Sequence, residues 1–376
     1  MSIGALYVHV PFCARKCSYC DFASEATRAD DPRMDGYLDE RIAELDRCRG
    51  LGMLGSCKTA YLGGGTPTFL GAARLGTLAS RIRTSCPNLT EFSCEANPDS
   101  LTEKVIATLR DAGVTRISIG VQSLDDEELR CLGRIHTADQ ARACVTVAVT
   151  AGLNVSVDLM CAIPRQTDES WQQTLHEVIA LGVGHVSVYP LAIEEGTPFG
   201  KRYGDDTPPW NDEDVQARRM ECAERLLAAA DLIRYEVASY ARDGRQCAHN
   251  IAYWTGVPYL GLGPGAASML DAPTYEVARD LFDWLPPRPH DASRMRFSTL
   301  DAEVEFLSAR EAWAEDLMLG MRLTRGIEEG RLEAVPDTRD DLLARGLVER
   351  AGGRLVPTHD GWLLGNELFA ALWDCR

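Results

Sequence analysis

The chain has 376 residues, 45% hydrophobic and 25% charged, with a net charge of −17, a globular composition large enough for one big domain and an appendage. The acidic balance and the lack of a basic stripe exclude a nucleic-acid partner, whose phosphates need clustered Lys and Arg. No run of about 18 apolar residues occurs, and "MSIGALYVHVPFC" has neither a basic leader nor a cleavage site, so the expectation is a cytoplasmic protein with no transmembrane segment.

Short β-branched runs alternate with amphipathic helical patterns through about residue 200. In chain order the predicted strands are "ALYVHV" (5–10), "KTAYLGG" (58–64), "EFSCEAN" (91–97), "TRISIGV" (115–121), "NVSVDLM" (154–160) and "HVSVYPL" (185–191). Between them Leu75, Leu78 and Ile82 recur at helical spacing, as do Leu101, Val105 and Leu109. Asn97-Pro98-Asp99-Ser100 reads as a helix start and Gly113 as the matching C-cap. Six βα units argue for a parallel sheet.

The unusual residues choose its form. A cysteine loop follows the first strand and "GGGTPT" (63–68) the second. Glu95, Gln122 and Asp158 lie at the ends of the third, fourth and fifth, and "PLAIEEGTPF" (190–199) follows the sixth. In a barrel such ends converge on one face, whereas an open doubly wound sheet offers a site only at its switch point. The expected fold is therefore α/β, a partial (β/α)6 barrel over residues 1–200. A helix at about 214–230, a strand at 233–241 and the Gly-rich "YLGLGPGAAS" (259–268) form an α+β extension over 201–290. "WLPPRPHDASRM" (284–295) has linker composition. Residues 291–376, with the two-stranded turn "LVERAGGRLVP" between helical patterns, read as a helix–hairpin–helix, winged-helix-like module.

The thirteen cysteines are mostly scattered singly, as in a reducing cytosol, and only Cys13, Cys17 and Cys20 cluster. Their x3 and x2 spacing can wrap one soft metal or cluster. A structural zinc would need a distant fourth ligand such as His9 or Cys247. A 4Fe–4S cluster on three thiolates leaves one iron open, where S-adenosylmethionine can chelate through its amino and carboxylate groups. The glycines Gly63, Gly64 and Gly65 favour the cluster, because they let backbone approach a ligand with no Cβ in the way.

Taken together, "LYVHVPFCARKCSYCDF", "YLGGGTPT", "EANPD", "RISIGVQS", "VDLMCAIPRQT", "SVYPLAIEEGTPF", "HNIAYW" and "GLGPGAAS" resemble, in order, the blocks of the HemN-like group of the radical S-adenosylmethionine superfamily. The resemblance implies that Cys13, Cys17 and Cys20 ligate the cluster and that Tyr7, Gly64 and Glu95 hold the cluster-bound S-adenosylmethionine. In the oxidase branch a second S-adenosylmethionine is held, at positions that correspond here to Tyr19, Gly65, Thr66, Gln122, Arg134, Asp158 and Ala192.

Phe22 stands two residues after Cys20, where the oxygen-independent coproporphyrinogen III oxidases carry a further cysteine. The chain also starts its first strand at about residue 5, without those oxidases' long N-terminal extension. Both departures are those of the HemW branch, regarded as heme-binding proteins that hand heme to apoproteins. "HNIAYW" (249–254) resembles that branch's HNxxYW motif. By that resemblance His249 is an axial iron ligand, Tyr253 and Trp254 are flat faces for a porphyrin, and Asn250 belongs to the same heme site. The expectation is a heme chaperone with heme as cargo and acceptor hemoproteins, membrane respiratory enzymes among them, as partners. The alternatives are the coproporphyrinogen oxidase itself and a HemN-like methyltransferase. Two departures from the family are Ala267, where relatives have His, and Cys161-Ala162, where a Tyr-Gly pair is common. These are expected to weaken ligand binding and to reshape the pocket wall.

Overall fold

In the computed structural model, which describes residues 3–204 and 206–376, six parallel strands lie side by side in chain order. They are β1 (Ala5–Val10), β2 (Thr59–Gly64), β3 (Glu91–Ala96), β4 (Arg116–Gln122), β5 (Asn154–Cys161) and β6 (His185–Pro190). Each agrees with its predicted strand to within one residue at either end.

The strands alternate. Leu6, Val8 and Val10 on β1, Phe92 and Cys94 on β3, Ile117, Ile119 and Val121 on β4, and Val155, Val157 and Leu159 on β5 are buried in one large apolar core. The positions between them are polar, with Ser93 and Glu95, Arg116 and Ser118, Ser156 and Asp158, and His185 and Ser187 on β3 to β6. A parallel sheet buried on both faces normally reads as continuously apolar. Here one face packs on helices and the other is dressed for polar contacts. Because the strand order never reverses, right-handed crossovers put the helices on one side, and the polar face curls inward. Tyr61 on β2 and His185 on β6 would stand about 19 Å apart in a flat sheet, yet they line one cavity.

The sheet continues past both edges of this half-barrel. With β7 (Ile233–Arg234), β8 (Ser239–Ala241), β9 (Tyr259–Leu262), β10 (Ala267–Asp271), β11 (Ala292–Ser298) and β12 (Val304–Ser308) its order is β12-β11-β10-β9-β1-β2-β3-β4-β5-β6-β8-β7. Three expectations are corrected. The strand expected over 233–241 is a tight hairpin, because the chain bends at the buried Glu236 and the Tyr235 N–H closes onto the Ser239 carbonyl at 3.1 Å. The helix expected to start at 97–100 runs over Glu103–Asp111, capped by the Thr102 hydroxyl, which accepts from the Val105 N–H. Residues 292–295, the end of the segment read as linker, belong to β11 in the main sheet.

The separate C-terminal core begins with the helix Ala309–Gly320. Leu317, Ile327, Leu342, Leu347, Leu355 and Leu368 close it, around β13 (Ile327–Glu328), β14 (Val348–Ala351) and β15 (Arg354–Pro357). Gly352 and Gly353, at φ +57° and +79°, make the two-residue turn of the predicted hairpin. The Trp362 indole donates to the Val237 carbonyl at 2.9 Å and fixes this module to the extension. Among the described residues no helix is long and apolar enough to cross a membrane.

Candidate functional site

A cavity of about 320 Å³ runs from the carboxyl ends of the strands into the half-barrel. Cys13, Cys17, Cys20, Tyr19, Gly64, Gly65, Thr66, Glu95, Gln122, Arg134, Asp158 and Asn250 all line it. The strand-end argument thus brings together residues spread over most of the chain.

The cysteine loop is held from three sides. The Ser18 N–H donates to the Leu132 carbonyl at 3.1 Å, and the Ser18 carbonyl accepts from the Phe199 N–H at 2.8 Å. Tyr19 packs against the small apolar cluster of Leu132, Ile163, Leu191 and Phe199. Thr66 donates to the Cys13 sulfur at 3.4 Å and accepts from Asn97 Nδ2 at 2.9 Å. Arg134 clamps the same side, donating to Asn97 Oδ1 and the Gly120 carbonyl at 2.7 Å each and to the Cys17 sulfur at 3.6 Å. The Arg134 guanidinium puts a positive charge beside this sulfur, which suits an anionic cluster built on it.

Neither partner considered for a zinc closes such a site. His9 has both ring nitrogens engaged: Nε2–H donates to the Ala23 carbonyl at 2.8 Å, which leaves Nδ1 to accept from the Tyr7 hydroxyl at 3.0 Å. Cys247 lies at the cavity floor with its thiol 3.5 Å from Glu91. Among the described residues no three His, Cys, Asp or Glu groups converge to hold a single ion. Three thiols spread around one cavity wall suit a multi-iron cluster better than a mononuclear centre.

The glycine loop is shaped by close approach. Gly64 has φ +110°, and a Cβ there would lie 2.6 Å from the His9 ring. A Cβ at Gly65 would meet the Phe12 carbonyl at 2.7 Å and the Cys13 sulfur at 3.0 Å. Only glycine lets this strand end pass beneath the cysteine loop. At the end of β4 a register shift between Gly120 and Gln122, with Gln122 at φ +65°, turns the Gln122 side chain into the cavity.

Two carboxylates sit in the lumen. Burial, and secondarily the nearby Asp158, push the Glu95 carboxyl up to about 7, while bonds from Tyr61 and from the Gly64 N–H (3.0 Å) pull it back. Burial pushes Asp158 up to about 6, against hydroxyl bonds from Ser118 (3.1 Å) and Ser187. Acids in a polar lumen with no salt-bridge partner among the described residues mark a place suited to a cationic ligand.

The floor is an ion pair that sequence reading missed. Arg116 meets Glu91 at 3.2 Å with its side chain 2% exposed. The Glu91 carboxylate also accepts from the Ala248 N–H at 3.0 Å and the His249 N–H at 2.9 Å, pinning the first turn of the helix Ala248–Trp254. Replacing Glu91 by Ala would strand a buried guanidinium and free that helix, at a cost of about 3–5 kcal/mol; a denaturant melt within about 1 kcal/mol of the parent would contradict this.

Other expected residues fall elsewhere. Tyr7 does not line the cavity and packs on the wall residue Tyr61, with the two ring centres 6.2 Å apart. Ala192 is exposed on the loop after β6 and is not part of the cavity wall. His249 is 1% exposed, with Nδ1 on the Thr59 hydroxyl and Nε2 on the Tyr253 hydroxyl, each at 2.9 Å. Burial alone pushes its pKa down to about 3. Tyr253 is wedged between His249 and Tyr259, and Trp254 is covered by the Arg322 guanidinium 4.9 Å from its ring centre. In this conformation His249 offers no free iron-binding nitrogen, and Tyr253 and Trp254 are half-buried outside the cavity wall. Asn250 is the one HNIAYW side chain that reaches the cavity.

Residues 7–178 match the family model described as the Radical SAM superfamily. The chain is 35% identical over 375 residues to a Mycobacterium tuberculosis protein named heme chaperone HemW, covering 98% of this chain and 94% of that one. It belongs to the HemW family. The HemW of Escherichia coli is 37% identical over 278 residues, 73% of this chain and 72% of that one. The HemN coproporphyrinogen III oxidase structure from E. coli superposes with a TM-score of 0.75 at 21% identity, over 99% of this chain and 89% of that one, and so shares its fold. Membership in the radical SAM superfamily implies a 4Fe–4S cluster and S-adenosylmethionine. In this HemW-family chain the three cysteines on one loop and the glycine passage beneath them fit both.

Sequence reading passed over Tyr61, Asn97, Ser118, Ser187 and Tyr189, all in the cavity wall. The signal for most was present: they are the polar or aromatic members of otherwise apolar alternating strands.

Proposed function

We propose that this chain binds heme and passes it to acceptor hemoproteins, with a 4Fe–4S cluster and S-adenosylmethionine in the barrel mouth as parts of that work. The observation that carries the reading is the end-to-end similarity to a protein named heme chaperone, 98% of one chain against 94% of the other, since a barrel match alone would speak only for shared cofactor chemistry. Phe22 supports it. It replaces the further cysteine of the oxidases and is 61% exposed at the cavity mouth, where Tyr189 is 41% exposed. Two exposed rings beside one opening offer flat apolar surface to a porphyrin face.

In this reading Cys13, Cys17 and Cys20 hold the cluster, which when bound supplies an open iron position and a reducing electron. The Gly64 strand end and Glu95, with Tyr7 beside them, receive S-adenosylmethionine. Glu95 faces its positive charge, and Tyr7 is locked in place through His9. Tyr19, Gly65, Thr66, Gln122, Arg134 and Asp158 shape the polar lumen that continues from there, apart from the exposed Ala192. His249, Asn250, Tyr253 and Trp254 form the heme-binding helix, with His249 as iron ligand once it leaves its hydroxyl partners. The protein would work in the cytoplasm, and its acceptors would include membrane-bound respiratory hemoproteins.

The test uses anaerobically reconstituted protein. Heme titration should give one equivalent per chain, with transfer to an added apo-hemoprotein. Incubation with coproporphyrinogen III, S-adenosylmethionine and dithionite should give no protoporphyrinogen. Protoporphyrinogen at catalytic yield would make the chain an oxidase instead.

A further inference from the structure

The helix Ala248–Trp254 touches both the cofactor wall and the C-terminal core. Its His249 ring stacks on Tyr61 at 5.1 Å and 29°, and Tyr61 stacks in turn on Tyr7 at 6.2 Å and 27°. The Tyr61 ring and the Glu95 carboxyl stand side by side, 2.9 Å and 3.1 Å from where a Gly63 Cβ would lie, and Glu95 Oε2 accepts from the Gly64 N–H at 3.0 Å. Three rings in a row therefore lie behind the carboxylate that receives S-adenosylmethionine, and His249 is the last of them. At the far end Trp254 is held under Arg322, which also covers Phe369 of the C-terminal core at 4.7 Å.

An imidazole ligates iron through a free ring nitrogen. Seated here, His249 has none, since Thr59 holds Nδ1 and Tyr253 holds Nε2. To reach an iron it must give up at least one of these bonds and leave the stack behind Tyr61. Leaving opens a gap behind the ring that steadies Glu95. We infer that His249 has two positions, seated to prop Tyr61 against Glu95 and released to ligate heme, so that heme and S-adenosylmethionine oppose each other through Tyr61. The inference rests on the heme reading above and adds regulation to it. Linkage makes the effect reciprocal: each ligand weakens the other by the same factor.

The test is a pair of titrations on reconstituted full-length protein. Heme affinity is read from the Soret band with and without saturating S-adenosylmethionine, and S-adenosylmethionine affinity by equilibrium dialysis with and without heme. Each ligand should weaken the other about tenfold. Thr59→Val and Tyr253→Phe each remove one bond of the seat, so both should tighten heme binding several-fold while weakening S-adenosylmethionine. A merely structural role for His249 predicts weaker heme binding in both, and that result would overturn the inference. Tyr61→Ala, which removes the ring between His249 and Glu95, should make heme affinity the same with and without S-adenosylmethionine. Full heme binding with no mutual effect in the parent protein sinks the coupling but leaves heme transport standing. No heme binding at all removes the heme reading and the inference with it. An unchanged heme spectrum in His249→Gln removes His249 as ligand, and again the inference.

Discussion

Cys17→Ala abolishes cluster assembly and leaves the fold in place. Cys17 is half-buried on the loop after β1, and among the described residues its sulfur takes one hydrogen bond, from the Arg134 guanidinium at 3.6 Å. Removing it opens no core cavity, so the apo protein should melt within about 1 kcal/mol of the parent. The loop itself stays anchored through Ser18 and Tyr19. What is lost is one of three thiolates, with no fourth among the described residues to take its place. His9 is committed on both nitrogens, and Cys247 lies at the cavity floor against Glu91. Iron and sulfide per reconstituted chain should fall from about four to near none, and S-adenosylmethionine binding should go with them. Undiminished iron would mean that the ligand set has been misread, and a collapse of the apo melt would mean that the thiol is structural.

Glu95→Gln should weaken S-adenosylmethionine and stabilise the empty protein at alkaline pH. Its carboxyl is pushed up to about 7, first by burial and then by Asp158. Between the unfolded value near 4.5 and about 7 the folded chain keeps a proton that the unfolded chain releases. Stability from this group is therefore full below the unfolded value and is lost as pH rises through the folded one. Asp158, raised to about 6, acts in the same direction. Glutamine never ionises, so the variant avoids the cost of a buried charge. At pH 8 its apo form should be about 1–3 kcal/mol more stable than the parent, and at pH 4 the difference should vanish. Binding should move the other way. Loss of a charge-assisted contact to a cationic ligand costs about 1.5–3 kcal/mol, or roughly ten- to hundredfold in affinity. Melts at the two pH values and a dialysis titration read both effects, and a variant less stable at pH 8 would show that Glu95 is already compensated.

Much of this was legible in the chain. The six barrel strands could be read because β-branched runs and their spacing are local signals, and the cysteine loop because its ligands are separated by only three and two residues. The glycine run after β2 could be read as a close approach, although what approaches, the His9 ring and the Phe12 carbonyl, could not. The hairpin at Gly352-Gly353 announced itself for the same local reason. Where reading went astray, the deciding partner was distant. The 233–241 segment is β-rich throughout, but the buried Glu236 and the edge of β6 bend it into a hairpin.

The sequence by itself determined the parallel half-barrel, the rim where its strands end, the cysteine loop and the family. Each is written in short-range patterns that no distant contact needs to complete. Only the tertiary structure decided that the polar faces of β3 to β6 enclose one lumen, that Arg116 and Glu91 close its floor, and that His249 is seated behind Tyr61 with both nitrogens taken. Alternation tells which side of a strand is polar but not which other strand that side will face. The pairs that matter, Glu91 with His249 and Thr59 with His249, lie 158 and 190 residues apart. Their chemistry exists only once the sheet has curled and brought the helix Ala248–Trp254 beneath it.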